Sequence, residues 1–278
     1  MYLAKEGYKV TTFDSIDPSS HSQWVSLMDE VVVGDIRDES TISDLADKNF
    51  DVVVHLISLD HHKSNFSPNF VSSINIMPTW NLLDKFTQNG LDKFIYFSTI
   101  HVYGELPKKM VTENQPACPL NAYGLTHLLS ENICNYYNKI TDTKCINIRL
   151  SNSYGSPIFK ENNCWWLVIN DLCRSAIEEN QIRLKSDGSP QRDFIHGDDV
   201  ASAIDLFVNG KNNNKNNIFH ISSGRTFTIL ELAHKVRSVY NQEYNNEIEI
   251  ILPDNSISEY QDIPNNIERY RISLSSEF

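Results

Sequence analysis

The sequence predicts an α/β chain whose first part is a doubly wound parallel sheet and whose second part is smaller and less regular. Three observations predict it. Strand-like and helix-like segments alternate up to about residue 150. The runs FDVVVHLIS (50–58) and KFIYFS (93–98) are almost continuously apolar, as strands covered on both faces are. Polar residues suited to chemistry follow directly on strand ends, where an open parallel sheet binds its ligands.

The elements follow in order. YKVTTF (8–13) and DEVVVGDI (29–36) are β-branched runs bounded by turn residues and read as strands. Residues 40–48 form a short helix. Residues 69–89 form a long one with Phe70, Ile74, Met77, Leu82, Leu83 and Phe86 as its stripe and Gly90 as its stop. Residues 122–138 place Leu125, Leu128, Leu129, Ile133, Tyr136 and Tyr137 at helical spacing, and KCINIRL (144–150) is a strand. Beyond 150 the rhythm loosens: a helix over 163–179, a strand at DFIH (193–196), a helix over 198–208 and a strand at FHIS (218–221). Thr228 and Glu231 make a capping box before LAHKVRSVY, and EIEIIL (247–252) is a strand. NGKNNNKNN (209–217) reads as a polar surface connection.

Composition excludes several classes. The 278 residues carry 24 Lys and Arg against 36 Asp and Glu, a net charge of −12, which opposes nucleic-acid binding. No apolar run reaches the roughly 18 residues of a membrane helix. The five cysteines show no C-x-x-C pair and no zinc spacing, and Cys134, Cys145 and Cys173 read as small buried hydrophobes in a reducing cytoplasm. No metal site is expected; His61 and His62 are adjacent, so their side chains should diverge. The opening MYLAKEGYKVTTFD is not built as a signal peptide and reads as a helix tail running into a strand.

Candidate ligand groups lie at strand ends. Asp14 closes the first strand; a carboxylate there can accept both ribose hydroxyls of an adenine nucleotide and would repel a 2′-phosphate, although Asp is also a common turn former. Asp35 and Ile36 close the second strand, with a turn reading of the same kind. His55–Ser58, including Leu56, closes the third. The fourth runs into Ser98-Thr99, and the helix opening at 122 carries Tyr123 and His127 at i and i+4, on one face. A hydroxyl at a strand end facing a helix-start tyrosine suits moving a proton on or off a sugar hydroxyl. A free phenol has a pKa of ~10, so a base near neutrality needs positive charge nearby to lower it by about three units.

These residues resemble the extended short-chain dehydrogenase/reductase family, specifically its NAD-dependent nucleotide-sugar epimerases and dehydratases, over nearly the whole chain. FDVVVHLIS is similar to the family's D-V-V-x-H-L-A-A strand. FIYFSTIHVYG is similar to the strand with a catalytic Ser or Thr three residues before V-Y-G, here Thr99. NAYGLTH resembles the Y-x-x-x-K helix start at Tyr123, with His127 in the Lys position. IRLSNSYG resembles R-x-x-N-x-x-G, with Asn152 where the family touches the sugar nucleotide. DGSPQRDFIHGDDVA resembles G-x-x-x-R-D-F-I-H-V-D-D-V-A, with Arg192 where the family pairs with substrate phosphate.

The resemblance implies a Rossmann-like NAD-binding domain over residues 1–150 and a substrate-binding region over 151–278, with segments of the latter returning to the sheet. It implies Thr99, Tyr123 and His127 as catalytic residues. It implies Asp14, Asp35, Ile36, Leu56, Tyr123 and His127 as contacts of NAD, and Asn152 and Arg192 as contacts of a nucleotide-sugar. A homodimer through the Tyr123 helix and its neighbour, and a cytoplasmic location, follow in the same way.

Three departures bear on activity. The chain contains no G-x-x-G-x-x-G, so the strand and glycine turn that precede the opening helix tail, about 20 to 30 residues, are expected to be missing. His127, with a reference pKa of ~6.5, replaces a permanent cation. The chain ends at RISLSSEF, before an expected final helix-bearing segment. Ile100 and His101 stand where the dehydratases carry Asp-Glu, which favours an epimerase, with a simple reductase still open. A catalytically weakened or inactive relative that binds nucleotide or a partner, and a fragment without function of its own, remain the alternatives.

Overall fold

The computed structural model describes residues 1–159, 161, 164–210, 217–254, 256–259 and 268–274. Most of the Asn-rich connection (211–216) and the last four residues (275–278) lie outside the described residues. The first part runs α1 (Tyr2–Lys5), β1 (Thr11–Asp14), α2 (Ser22–Val25), β2 (Glu30–Val33), α3 (Glu39–Ala46), β3 (Val52–His55), α4 (Pro68–Asn75), α5 (Met77–Gln88), β4 (Lys93–Thr99), β5 (Met110–Val111), α6 (Ala122–Ile140) and β6 (Lys144–Leu150). The second runs β7 (Asn152–Tyr154), α7 (Val168–Glu179), β8 (Gln181–Arg183), β9 (Gln191–His196), α8 (Gly197–Asn209), β10 (Ile218–Ile221), β11 (Thr226–Thr228), α9 (Ile229–Tyr244), β12 (Glu249–Ile251) and β13 (Arg271–Ile272).

The fold is the expected Rossmann-like α/β arrangement with mostly parallel strands, but its sheet is divided. One parallel sheet has the order β10-β6-β4-β3, and β1 pairs only with β2, also in parallel. Among the described residues no strand pairs with the second edge of β1 or of β3. Burial follows position. In the central β4 and β6, Phe94, Ile95, Ile146 and Ile148 are fully enclosed, whereas Val52, Val53 and Val54 of β3 are only half-buried. The expectation of a strand covered on both faces therefore holds for 93–98 and not for 52–54. Both sheets still share one core: Phe13, Val32 and Val53 pack against the cluster of Ile42, Leu83, Phe86 and Phe94.

Two helices differ instructively from expectation. The span 69–89 is two helices, α4 and α5, because Pro78 sits in the first turn of α5 and cannot donate to the preceding turn. Asn75 turns inward at the break: its Oδ1 accepts from the Leu59 N–H at 2.7 Å and its Nδ2 donates to Thr126 Oγ1 at 3.0 Å. The register changes there, and Phe70 and Met77 of the expected stripe face outward. In α6 the buried face is Gly124, Thr126, His127, Ser130, Glu131, Cys134 and Tyr137, while Leu125, Leu129 and Tyr136 are exposed. Polar residues can line that face because each finds a partner on β4, β6, α4 or α5.

In the second part, Leu172, Ala176, Ile182, Leu230, Ala233 and Ile250 enclose a separate core. The capping box forms: the Glu231 N–H donates to Thr228 Oγ1 at 3.1 Å and the Thr228 N–H to Glu231 Oε2 at 2.8 Å. β10 returns to the main sheet beside β6, and β13 pairs with β5. All five cysteines are free; Cys134 and Cys145 are buried as expected, but Cys173 is exposed because it lies on the outer side of α7, lining a groove against α9. No helix among the described residues is long and apolar enough to cross a membrane.

Candidate active site at the β4–α6 junction

β4 ends at Thr99, whose side chain caps a single 3-10 turn over Ile100–Tyr103 by accepting from the His101 N–H at 3.2 Å. α6 begins with Asn121 as N-cap, its Oδ1 accepting from the Gly124 N–H at 2.8 Å. Gly124 decides how closely these two elements meet: a Cβ there would stand 2.5 Å from the His101 carbonyl oxygen. That approach sets the half-buried Tyr123 beside Thr99. Burial pushes the Tyr123 phenol above its ordinary pKa, the Thr99 hydroxyl opposes the rise, and Asp60 adds to it.

His127 lies one turn further along, its ring edge-on to Tyr123 with centroids 4.5 Å apart. It is 3% exposed, its Nδ1 is 2.8 Å from the Tyr96 hydroxyl, and its buried Nε2 has no hydrogen-bond partner. Burial first, then His55 and His101, lower its pKa to about 3. The imidazole is thus neutral at physiological pH and supplies no cation to Tyr123.

Around this pair stand further histidines. The His101 ring is 5.8 Å from Tyr123, and its pKa is lowered by burial, then by the charges of Arg192 and His61. His61 and His62 do not diverge as expected: their centroids are 3.9 Å apart, with Trp166 at 5.2 and 5.6 Å. The cause is local, because Asp60 Oδ1 accepts from the N–H groups of His62 and Lys63 at 2.9 and 2.8 Å and folds the chain into a turn. Among the described residues no group of three His, Cys, Asp or Glu is arranged to hold a metal ion.

The other sequence-derived residues fall as follows. Asp14 is exposed at the carboxyl end of β1, where Oδ1 accepts from the Ile16 N–H at 3.0 Å, so it serves the turn as well. Asp35, just beyond β2, is held at a pKa of about 2 by its hydrogen bonds to the Arg37 side chain and N–H. Ile36 is in the core at 7% exposure, whereas Leu56, past the end of β3, is 62% exposed. Asn152 Nδ2 donates to the Asp193 carbonyl at 2.9 Å. Arg192 is exposed, its Nη1 donating to the Gln191 carbonyl at 2.7 Å.

Sequence reasoning missed a buried network behind Thr99. Arg149 and Glu131, 4% and 1% exposed, are joined at 3.0 and 2.7 Å, and the Ser98 hydroxyl donates to the same carboxylate. The Arg149 guanidinium lies 4.7 Å over the Tyr103 ring, and Tyr103 Oη is 2.6 Å from His220 Nε2. His220 Nδ1 reaches Ser273 Oγ at 2.9 Å, which donates to Glu113 Oε2 at 3.0 Å. The available signal was a charged residue inside each of two otherwise apolar patterns, Arg149 in KCINIRL and Glu131 in the 122–138 helix.

Comparisons with known proteins agree with this architecture. The family model described as "NAD dependent epimerase/dehydratase family" matches residues 1–222. The chain is 28% identical over 204 residues to a dTDP-glucose 4,6-dehydratase of Streptomyces antibioticus, covering 73% of this chain and 58% of that one. It is 25% identical over 250 residues to a UDP-glucose 4-epimerase of Corynebacterium glutamicum, covering 85% of this chain and 74% of that one. The crystal structure of a UDP-glucuronic acid 4-epimerase from Bacillus cereus, with UDP-glucuronic acid and NAD, superposes with a TM-score of 0.74 at 25% identity, covering 90% of this chain and 80% of that one.

Proposed function

From membership of the NAD-dependent epimerase/dehydratase family, to which the chain belongs, we propose that this protein inverts one carbon of a nucleotide-linked sugar through a transient ketone. The observation that carries the reading is Thr99 beside Tyr123 at the carboxyl end of a parallel strand, the place where such sheets bind ligands.

NAD fits the residues present. An exposed carboxylate at the end of β1 (Asp14) suits ribose hydroxyls, the exposed Leu56 beyond β3 suits an apolar cover, and His127, whose buried Nε2 is unsatisfied, packs edge-on to Tyr123. Asp14, Asp35, Ile36, Leu56, Tyr123 and His127 would hold it, within residues 1–150. Asp35 and Ile36 are tied into an ion pair and the core, so their share falls to backbone groups. A bound NAD would supply the hydride acceptor for the sugar carbon, would supply the same hydride for the return, and in its oxidised form would add positive charge to the site.

Tyr123 takes the proton from the sugar hydroxyl on that carbon, and Thr99 hydrogen-bonds the same oxygen. Once that hydride is on the ketone's other face, Tyr123 returns the proton to the oxygen and the sugar is inverted. Because burial raises the Tyr123 phenol, it holds its proton at neutral pH and needs cationic help to act as a base. Asn152 and Arg192, in the region 151–278, contact the nucleotide-sugar; Arg192 is a cation for phosphate in a chain of net charge −12. Five free thiols fit a cytoplasmic enzyme. The exposed Leu125, Leu129 and Tyr136 of α6, with Trp80 of α5, fit a homodimer seam.

The test is incubation with NAD and UDP-, GDP- and dTDP-sugars. Product of inverted configuration, lost in Tyr123→Phe, is expected. Tight nucleotide binding without turnover would instead favour an inactive relative, the reading that the neutral His127 supports.

A further inference from the structure

We propose that Tyr96 is a positioning residue that holds His127 in a single tautomer, with Nδ1 accepting from the Tyr96 hydroxyl and the ring proton on Nε2. The inference rests on the epimerase reading only for its consequence in catalysis.

The geometry leaves two ways to place the protons. The Tyr96 hydroxyl and His127 Nδ1 are 2.8 Å apart in a buried site, Tyr96 being 2% and His127 3% exposed. Either the phenol donates to the imidazole nitrogen, or the imidazole donates to the phenol oxygen and the phenol proton turns to the Ser130 hydroxyl, which also acts on Tyr96. A phenol is the stronger acid and a neutral imidazole the stronger base, so O–H to N is the favoured direction. Nδ1 is then the acceptor and the one N–H of the neutral ring is on Nε2.

That N–H is fixed in space. The ring is gripped between Tyr96, centroids 5.8 Å apart, and Tyr123, 4.5 Å apart. Tyr96 itself belongs to a central, largely buried strand, in register with Asn147 of β6 on one side and His55 of β3 on the other. Nε2 has no partner in good hydrogen-bond geometry, although the Phe97 backbone carbonyl acts on the ring as an acceptor would. A buried donor without a well-placed partner is costly, and it persists here beside the tyrosine that handles the sugar proton. The chain thus replaces a mobile ammonium with an oriented neutral donor. Tyr96 orients it.

The measurement is ¹⁵N NMR of histidine-labelled protein, with the His127 signals assigned by their absence in His127→Gln. A pyridine-like Nδ1 and a pyrrole-like Nε2 are expected in the unsubstituted protein. In Tyr96→Phe, which removes one hydroxyl, the pattern should move toward a mixture of tautomers. With turnover, kcat should fall on the order of tenfold, the scale of one hydrogen bond, while KM for the sugar nucleotide holds. Adding Tyr96→Phe to His127→Lys should cost no further rate, which a merely structural role would not produce. A protonated Nδ1 in the unsubstituted protein, or an unchanged pattern in Tyr96→Phe, overturns the proposal. A protein with the expected nitrogen pattern but no epimerase activity supports the positioning and sinks only the functional reading.

Discussion

At the scale of single residues, neutral histidines control how this site responds to pH. Burial lowers His127 to about 3 and His55 to about 4, against ~6.5 in an unfolded chain. Between those values the unfolded chain binds protons that the fold refuses, so stability is complete above pH ~6.5 and falls as pH drops through this window. Each histidine costs about 1.4 kcal/mol per pH unit there. The melting temperature, followed by calorimetry, should therefore decline steeply from about pH 6.5 toward 4, and less steeply in His127→Gln. Tyr123, the proposed base, responds in the opposite sense. A lysine at position 127 would place a cation against Tyr123 and favour its phenolate, so the rising limb of kcat against pH should move down by about 1–3 units in His127→Lys. An unmoved limb would show that Tyr123 is not the group that titrates.

At the scale of elements, the meeting of β4 with α6 depends on one missing Cβ. Gly124→Ala would drive a methyl to 2.5 Å from the His101 carbonyl, so the helix start must back away and carry Tyr123 from Thr99. A loss of kcat of at least tenfold, with lowered stability, is expected from rate and melting measurements on this variant. This junction was readable in the sequence because its signals are local: an apolar run ending in Ser98-Thr99, and a tyrosine at a helix start. The strands that coincide with apolar or β-branched runs were readable for the same reason, whereas the two- and three-residue β5, β7, β8, β11 and β13 were not. The inner face of α6 was not. Leu125, Leu129 and Tyr136 have the periodicity of a core stripe, yet Thr126, His127, Ser130 and Glu131 are buried because Asn75, Thr79, Tyr96, Ser98 and Arg149 meet them. Those partners are 18 to 51 residues distant along the chain, beyond any window of periodicity. The Tyr96–His127 bond was hidden by the same separation, and the 69–89 helix was split by a proline whose effect the apolar stripe masked.

At the scale of the whole molecule, the outward apolar residues and the divided sheet both concern surfaces that a lone chain leaves uncovered. If α6 is the seam between copies, Leu129→Glu should shift the sedimentation coefficient from that of a dimer to that of a monomer. A chain that already sediments as a monomer removes the seam. The Arg149–Glu131 pair and the His220–Ser273–Glu113 chain tie β6, α6, β10 and the segment after β13 into one body, so the two parts of the molecule are bound by polar as well as apolar contacts.

The open edges of β1 and β3 have a further consequence for the molecule in deuterated water. β4 and β6 have hydrogen-bonded neighbours on both sides, while β1 and β3 have one each among the described residues. Amides that face an edge without a partner strand need no unfolding to exchange, only access. Mass-resolved exchange should label 11–14 and 52–55 well before 93–99 and 144–150, although all four strands pair in parallel. The slow half of that pattern carries Thr99, and the fast half carries Asp14. In the proposed site, the side assigned to the nucleoside is then pliant and the side assigned to the chemistry is rigid.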